Sequence, residues 1–153
     1  MAEAIQESID IDAPPERLYG MVSDLSRMGE WSPENRGGKW VGGATGAAEG
    51  AKFRSRNRRG WRRWSTVAHI VTANPPKEVA WESRSFGLKI ALWRYQFEPN
   101  GTGGTTVTES TEDVRGSIMN VLGPLATGVR DRAGENKKNM RATLEQLKKA
   151  AEA

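Results

Sequence analysis

The chain has 153 residues, 37% of them hydrophobic, with 23 Lys and Arg against 19 Asp and Glu and a formal net charge of +4. A chain of this size and composition folds around one core rather than two, so a single domain over residues 1–153 is expected. It holds no cysteine and one histidine, His69, which excludes disulfides, thiolate metal sites and a cysteine nucleophile, and leaves a two-histidine metal site or a Ser-His-Asp triad short of members.

The N-terminal run MAEAIQESIDID has no basic stretch followed by an apolar one. No segment approaches the roughly 18 apolar residues that span a bilayer, so a cytoplasmic protein is expected. Ile5, Ile9 and Ile11 alternate with Gln6, Ser8, Asp10 and Asp12, the pattern of a half-buried strand. Ala13-Pro14-Pro15-Glu16 ends it, and Leu18, Tyr19, Met21, Val22 and Leu25 then recur at helical intervals, predicting one or two short helices that close near Gly29.

From Trp31 to Gly116 the helical period disappears and turns separate short alternating segments, an antiparallel meander. Phe53, Ser55 and Asn57 alternate with Lys52, Arg54, Arg56 and Arg58; Trp64, Thr66, Ala68 and Ile70 with Arg63, Ser65, Val67 and His69. Val79 and Trp81 alternate with Glu78, Ala80 and Glu82; Trp93, Tyr95 and Phe97 with Arg94, Gln96 and Glu98. Asn74-Pro75-Pro76 and Asn100-Gly101-Thr102-Gly103-Gly104 are turns, and Thr105 to Asp113 is a last strand. One set is aromatic or small and the other charged, as in a sheet with one solvated face. His69 falls on the solvated side and takes no role.

Beyond Ser117 the period changes again. Ile118, Val121, Leu122, Leu125, Val129, Ala133, Met140, Leu144 and Leu147 form an amphipathic helical stripe. Gly123-Pro124 kinks it or divides off a long helix of about 25 residues.

This order, with Ile9-x-Ile11-x-Ala13-Pro14-Pro15-Glu16 and Asp24-x-x-Arg27-x-x-Glu30-Trp31-Ser32-Pro33-Glu34, resembles the START-like (SRPBCC) superfamily in its polyketide cyclase/dehydratase and lipid-transport branch. Gly50-x-x-Phe53-x-x-x-Asn57, Trp93-x-Tyr95-x-Phe97-Glu98-Pro99, Val107-Thr108-Glu109-Ser110 and Thr143-Leu144-x-x-Leu147-Lys148 add to the resemblance. It implies an α+β helix-grip fold, with a curved antiparallel sheet of about seven strands around a long C-terminal helix and two short helices after the first strand. It also implies an apolar cavity between sheet and helix that holds a lipid, sterol, polyketide or similar ligand, and in some members a cyclisation or dehydration.

With the apolar set facing the helix, the cavity side carries Trp64, Trp81, Trp93, Tyr95, Phe53, Ile70 and Phe97, interleaved with Ser55, Thr66 and Ala68. Large rings beside small side chains leave gaps, which suits a flat, partly apolar ligand. Asn57, Glu109 and Asn136 are the polar members of this side, with Met140 beside Asn136 on the helix stripe. Glu7 shares the phase of Ile5 and Ile9, and in a helix-grip fold the first and last strands are neighbours. Glu7 and Glu109 are therefore candidates for an acid/base pair, against the alternative of a surface charge at a strand edge. Trp31 has two readings, a lid at the cavity mouth with Glu34 at its rim or a hydrophobic plug. No metal or cofactor is expected.

Lys52, Arg54, Arg56, Arg58, Arg59, Arg62 and Arg63 lie in one acid-free segment that also holds Trp61 and Trp64. Arginines among aromatics suit single-stranded nucleic acid. The alternation favours a solvated basic face, one fitted to an acidic carrier protein or an anionic membrane surface rather than to nucleic acid. The leading function is binding or transport of a small hydrophobic ligand, ahead of a cyclase/dehydratase-type enzyme using Glu109 or Glu7. A monomer or homodimer is expected.

Overall fold

The computed structural model describes residues 4–116 and 131–153. Seven strands form one antiparallel sheet in the order β1-β7-β6-β5-β4-β3-β2. They are β1 (Ala4–Ile11), β2 (Asn35–Val41), β3 (Lys52–Arg59), β4 (Arg62–Asn74), β5 (Glu78–Ser85), β6 (Leu88–Pro99) and β7 (Thr105–Asp113). Helix α1 (Pro15–Ser23) and a 3-10 helix (Leu25–Glu30) follow β1, and helix α2 (Arg132–Glu152) closes the chain. This is the expected α+β helix-grip architecture. No helix among the described residues is long and apolar enough to cross a membrane. The helical stripe read over Ile118, Val121, Leu122, Leu125 and Val129, and the break at Gly123-Pro124, lie outside the described residues.

Local sequence accounts for the elements. Pro15 opens α1, where its missing N–H is no loss, and Leu18, Tyr19, Met21 and Val22 give the helix a buried face. Asp24 caps the 3-10 helix by accepting from the Ser26 amide. The strands alternate as their sequences do, with Phe53 and Ser55 buried between exposed Lys52, Arg54 and Arg56. Three irregularities in register, at Asn35/Gly38, Ile70/Thr72 and Ser83/Arg84, add local twist, and bulges of this kind let a sheet curl around a helix.

Strand β2 did not stand out from its neighbours in sequence, because Gly37-Gly38 breaks its alternation. Gly38 is required there: a Cβ would overlap the Arg54 carbonyl oxygen and press on the Phe53 ring. Trp40 of β2 meets Phe53 edge-on, with ring centroids 5.1 Å apart.

The core is asymmetric along the sheet. Phe53, Ile70, Val79, Phe97 and Val107 are inner-face residues at the end opposite the β3–β4 and β5–β6 turns, and all are buried. Helix α1 covers this closed end, where Tyr19 packs edge-on against Phe97 at 5.9 Å. Leu144, Leu147 and Ala151 from the second half of α2 join the same core. Along its flank, Lys148 and Arg141 donate to the carbonyls of Asp10 and Ser8, and Glu152 accepts from the Asp12 amide, tying α2 to β1. Ala133 is exposed rather than on the buried stripe, and His69 is half-buried between Lys52 and Glu82 on the adjacent strands rather than fully solvated.

Candidate functional site

Toward the open end, the same inner face is not filled. A cavity of about 240 Å³ lies between sheet and helix. Its sheet wall follows the strand period: Ser55 and Asn57 from β3, then Trp64, Thr66 and Ala68 from β4. Trp81, Ser83 and Ser85 continue it on β5, Ala91, Trp93 and Tyr95 on β6, and Glu109 on β7. Wide rings alternate with Ser, Thr and Ala, so the wall is apolar but hollow. The first half of α2 faces it with Asn136, Asn139, Met140 and Thr143, where the second half carries leucines.

Eleven residues read on the cavity side from sequence therefore converge on one cavity: Ser55, Asn57, Trp64, Thr66, Ala68, Trp81, Trp93, Tyr95, Glu109, Asn136 and Met140. Phe53, Ile70 and Phe97 share their phase but sit at the closed end, where α1 and the leucines of α2 fill the space against them. Trp31 is 3% exposed and packed in the core, with the Arg27 guanidinium 5.0 Å above its ring, the arrangement of a plug rather than a lid. Its neighbours Ser32, Glu34 and Asn35 do line the cavity.

Several lining residues were missed. Ser83, Ser85 and Ala91 continue the phase of Trp81 and Trp93, and Asn139 and Thr143 each lie one turn after Asn136 and Met140, so the periodicity carries the signal for all five. Phe86 had none. It occupies the β5–β6 turn at φ 52, is 96% exposed, and still reaches the cavity edge. Asp113 and Arg115 line the same end, joined by an ion pair of 2.7 Å.

The polar points of the wall differ in how they are satisfied. The Asn57 amide donates to Thr66 Oγ1 at 3.1 Å. The Tyr95 hydroxyl donates to Glu109 Oε1 at 2.7 Å, and the Tyr95 ring stacks on Trp81 with centroids 5.6 Å apart. Glu109 is 3% exposed, and its Oε2 has no hydrogen-bond partner. Burial pushes its carboxyl up to about 8, with the Tyr95 bond pulling the other way, so near pH 7 the group is mostly protonated. Glu7 stands directly opposite Glu109 in the β1–β7 register, half-buried and outside the cavity lining. Among the described residues, no group of three or more His, Asp or Glu side chains is placed to hold a metal ion.

On the outer face, Lys52, Arg54, Arg56, Arg58 and Arg63 are exposed, as the alternation predicted. Arg36, Arg56, Arg58 and Arg63 converge on an open groove whose lining contains no carboxylate. Arg59 pairs with Glu135 at 3.4 Å and Arg62 stacks over Trp61, which is 79% exposed. Trp64 lines both the cavity and the groove, while Trp61 lines neither.

Solved structures share this architecture. A Polyketide_cyc-like protein, Cgl2372 from Corynebacterium glutamicum, is 29% identical with a TM-score of 0.59, covering 99% of this chain and 90% of its own. The di-domain ARO/CYC BexL from the BE-7585A biosynthetic pathway is 21% identical with a TM-score of 0.74, covering 99% of this chain and 50% of its own. The Aha1 dimer from Colwellia psychrerythraea is 17% identical with a TM-score of 0.67, covering 98% and 96%. No curated protein sequence matches the chain. The family model described as polyketide cyclase/dehydrase and lipid transport matches residues 2–152, and with the helix-grip fold it establishes that this chain belongs to that family of the START-like superfamily.

Proposed function

We propose that this protein binds and carries a small hydrophobic ligand, lipid-like or polyketide-like, in the cavity between its sheet and α2. One observation carries the reading: the inner face is packed at its closed end and hollow at the other, with aromatic walls around about 240 Å³. A core built only for stability fills such a space, because each unfilled methyl-sized gap costs about 1 kcal/mol. The family description is consistent with this cargo. A cytoplasmic site of action belongs to the same reading.

The test is native mass spectrometry of the purified protein, with solvent extraction and identification of what it carried. A co-purifying lipid or aromatic polyketide supports the reading. Bare protein that also fails to quench its tryptophan fluorescence on addition of hydrophobic probes overturns it.

A second reading, an enzyme of cyclase/dehydratase type, is favoured by Glu109, a protonated carboxyl inside the cavity in the form a general acid requires. Conversion of a linear precursor by the wild type and loss of that conversion in Glu109→Gln separates it from carriage alone. The groove of Arg36, Arg56, Arg58 and Arg63 is read as the contact for an anionic partner, a membrane surface or an acidic carrier protein.

A further inference from the structure

Three buried side-chain polar atoms among the described residues have no hydrogen-bond partner: Trp31 Nε1, Thr111 Oγ1 and Glu109 Oε2. Only Glu109 belongs to the cavity wall. Its other oxygen accepts from the Tyr95 hydroxyl at 2.7 Å, so the acidic proton resides on Oε2. A buried O–H without an acceptor is destabilising, and a ligand that supplies one recovers that loss on binding.

Resting on the binding reading above, we propose that Glu109 acts through Oε2–H as a neutral hydrogen-bond donor that orients the ligand, and that the ligand class is a flat hydrophobic molecule bearing a carbonyl oxygen. The stacked rings of Trp81 and Tyr95 line the same cavity as Glu109, so a flat body lying against them sits beside this carboxyl. Asn57, half-buried on the sheet wall, donates to Thr66, whereas Glu109 Oε2 is fully buried with no partner among the described residues. The protonated state holds near neutral pH because burial raises the carboxyl to about 8.

The groups facing Glu109 are Glu7 from β1 and Tyr95 from β6, with Asp113, Arg115 and Glu34 along the same cavity. Among the described residues, α2 faces the cavity with Asn136, Asn139, Met140 and Thr143, none of them ionisable. Tyr95 is held protonated well above 10 by its own burial.

A matched pair of probes tests this: 2-acetylnaphthalene and 2-ethylnaphthalene, which differ by one carbonyl, titrated by quenching of the protein's tryptophans. In the wild type at pH 6 the affinity ratio favours the ketone relative to Glu109→Leu by about tenfold, the worth of one hydrogen bond. Glu109→Gln keeps the ketone preference, because its amide retains an N–H donor and an acceptor for Tyr95. Raising the pH to 9.5 removes the preference in the wild type, where an ionised carboxylate no longer donates, and leaves it unchanged in Glu109→Gln. If neither probe binds the wild type, the proposal for a flat ketone is overturned, and if the protein is also bare by native mass spectrometry the binding reading fails with it. If both bind and the ratio is the same in wild type and Glu109→Leu, or unmoved by pH, the cavity stands as a binding site and the donor role is overturned.

Discussion

Glu109 shows how a single side chain is set by its surroundings. In the unfolded chain its carboxyl ionises near 4.3, whereas in the fold burial holds the proton on to about 8. Between those values the folded state keeps a proton the unfolded state has released. Stability therefore falls as the pH rises through this window, by about 5 kcal/mol at most, and levels off above it. Glu109→Gln keeps the size of the side chain and the acceptor for Tyr95 but does not titrate. Urea unfolding at pH 5, 7 and 9 is expected to show the wild type losing stability relative to Glu109→Gln at each step, and parallel profiles would mean that Glu109 is ionised in the fold. The residue was legible as a site candidate because Val107 and Glu109 share a phase on one strand. Its pairing with Tyr95 was not, since that contact depends on the β6–β7 register, which alternation alone leaves open.

Helix α2 carries two functions along one stripe. Leu144 and Leu147 are fully buried where α2 packs on β1, while Asn136 and Asn139, one to two turns before Leu144, and the adjacent Thr143 face the cavity. Truncation at Leu144 to Ala is expected to cost about 3 kcal/mol, measured by thermal or urea unfolding, because it opens a void in a packed region. Asn139→Leu instead projects an apolar side chain into hollow space, so stability is expected to change by under about 1 kcal/mol while naphthalene-probe binding is lost. Equal stability losses in the two variants would show that the helix packs uniformly. The division is visible in the sequence only in hindsight. Period 3.6 marks Asn136, Met140, Thr143 and Leu144 as one face, but whether the facing sheet is filled depends on which strand ends meet it. The same limit applies on the strands, where Phe53 and Asn57 have identical phase, and only the register separates a core ring from a cavity amide. Strand β2 was hidden for a different reason, since the close approach that requires Gly38 removes the side chain from which alternation is read.

For the whole molecule, charge and hollow space occupy opposite faces of one hairpin. The inner side of β3 and β4 gives Asn57, Trp64 and Thr66 to the cavity and the outer side gives Arg56, Arg58 and Arg63 to the groove, with Asn57 and Trp64 bordering both. The two-residue period sets the arginines on the outer side of the strands whose inner side lines the cavity. Trp61, exposed at the tip of this hairpin with Arg62 stacked on it, is the type of side chain that settles at a membrane interface. These features favour a lipid surface over a carrier protein. Arg59 is tied to Glu135, so the informative substitutions are Arg56→Glu, Arg58→Glu and Arg63→Glu together. Each basic residue near an anionic leaflet contributes about 1 kcal/mol, so the triple reversal is expected to weaken sedimentation with phosphatidylglycerol vesicles by roughly a hundredfold or more. Wild-type binding is expected to fall with added salt and to be absent on phosphatidylcholine alone. The cavity is untouched by these changes, so quenching by naphthalene probes stays as in the wild type. Salt-sensitive binding to an acidic acyl-carrier protein without vesicle binding would assign the groove to a protein partner instead, and vesicle binding that survives the triple reversal would remove the groove from both roles.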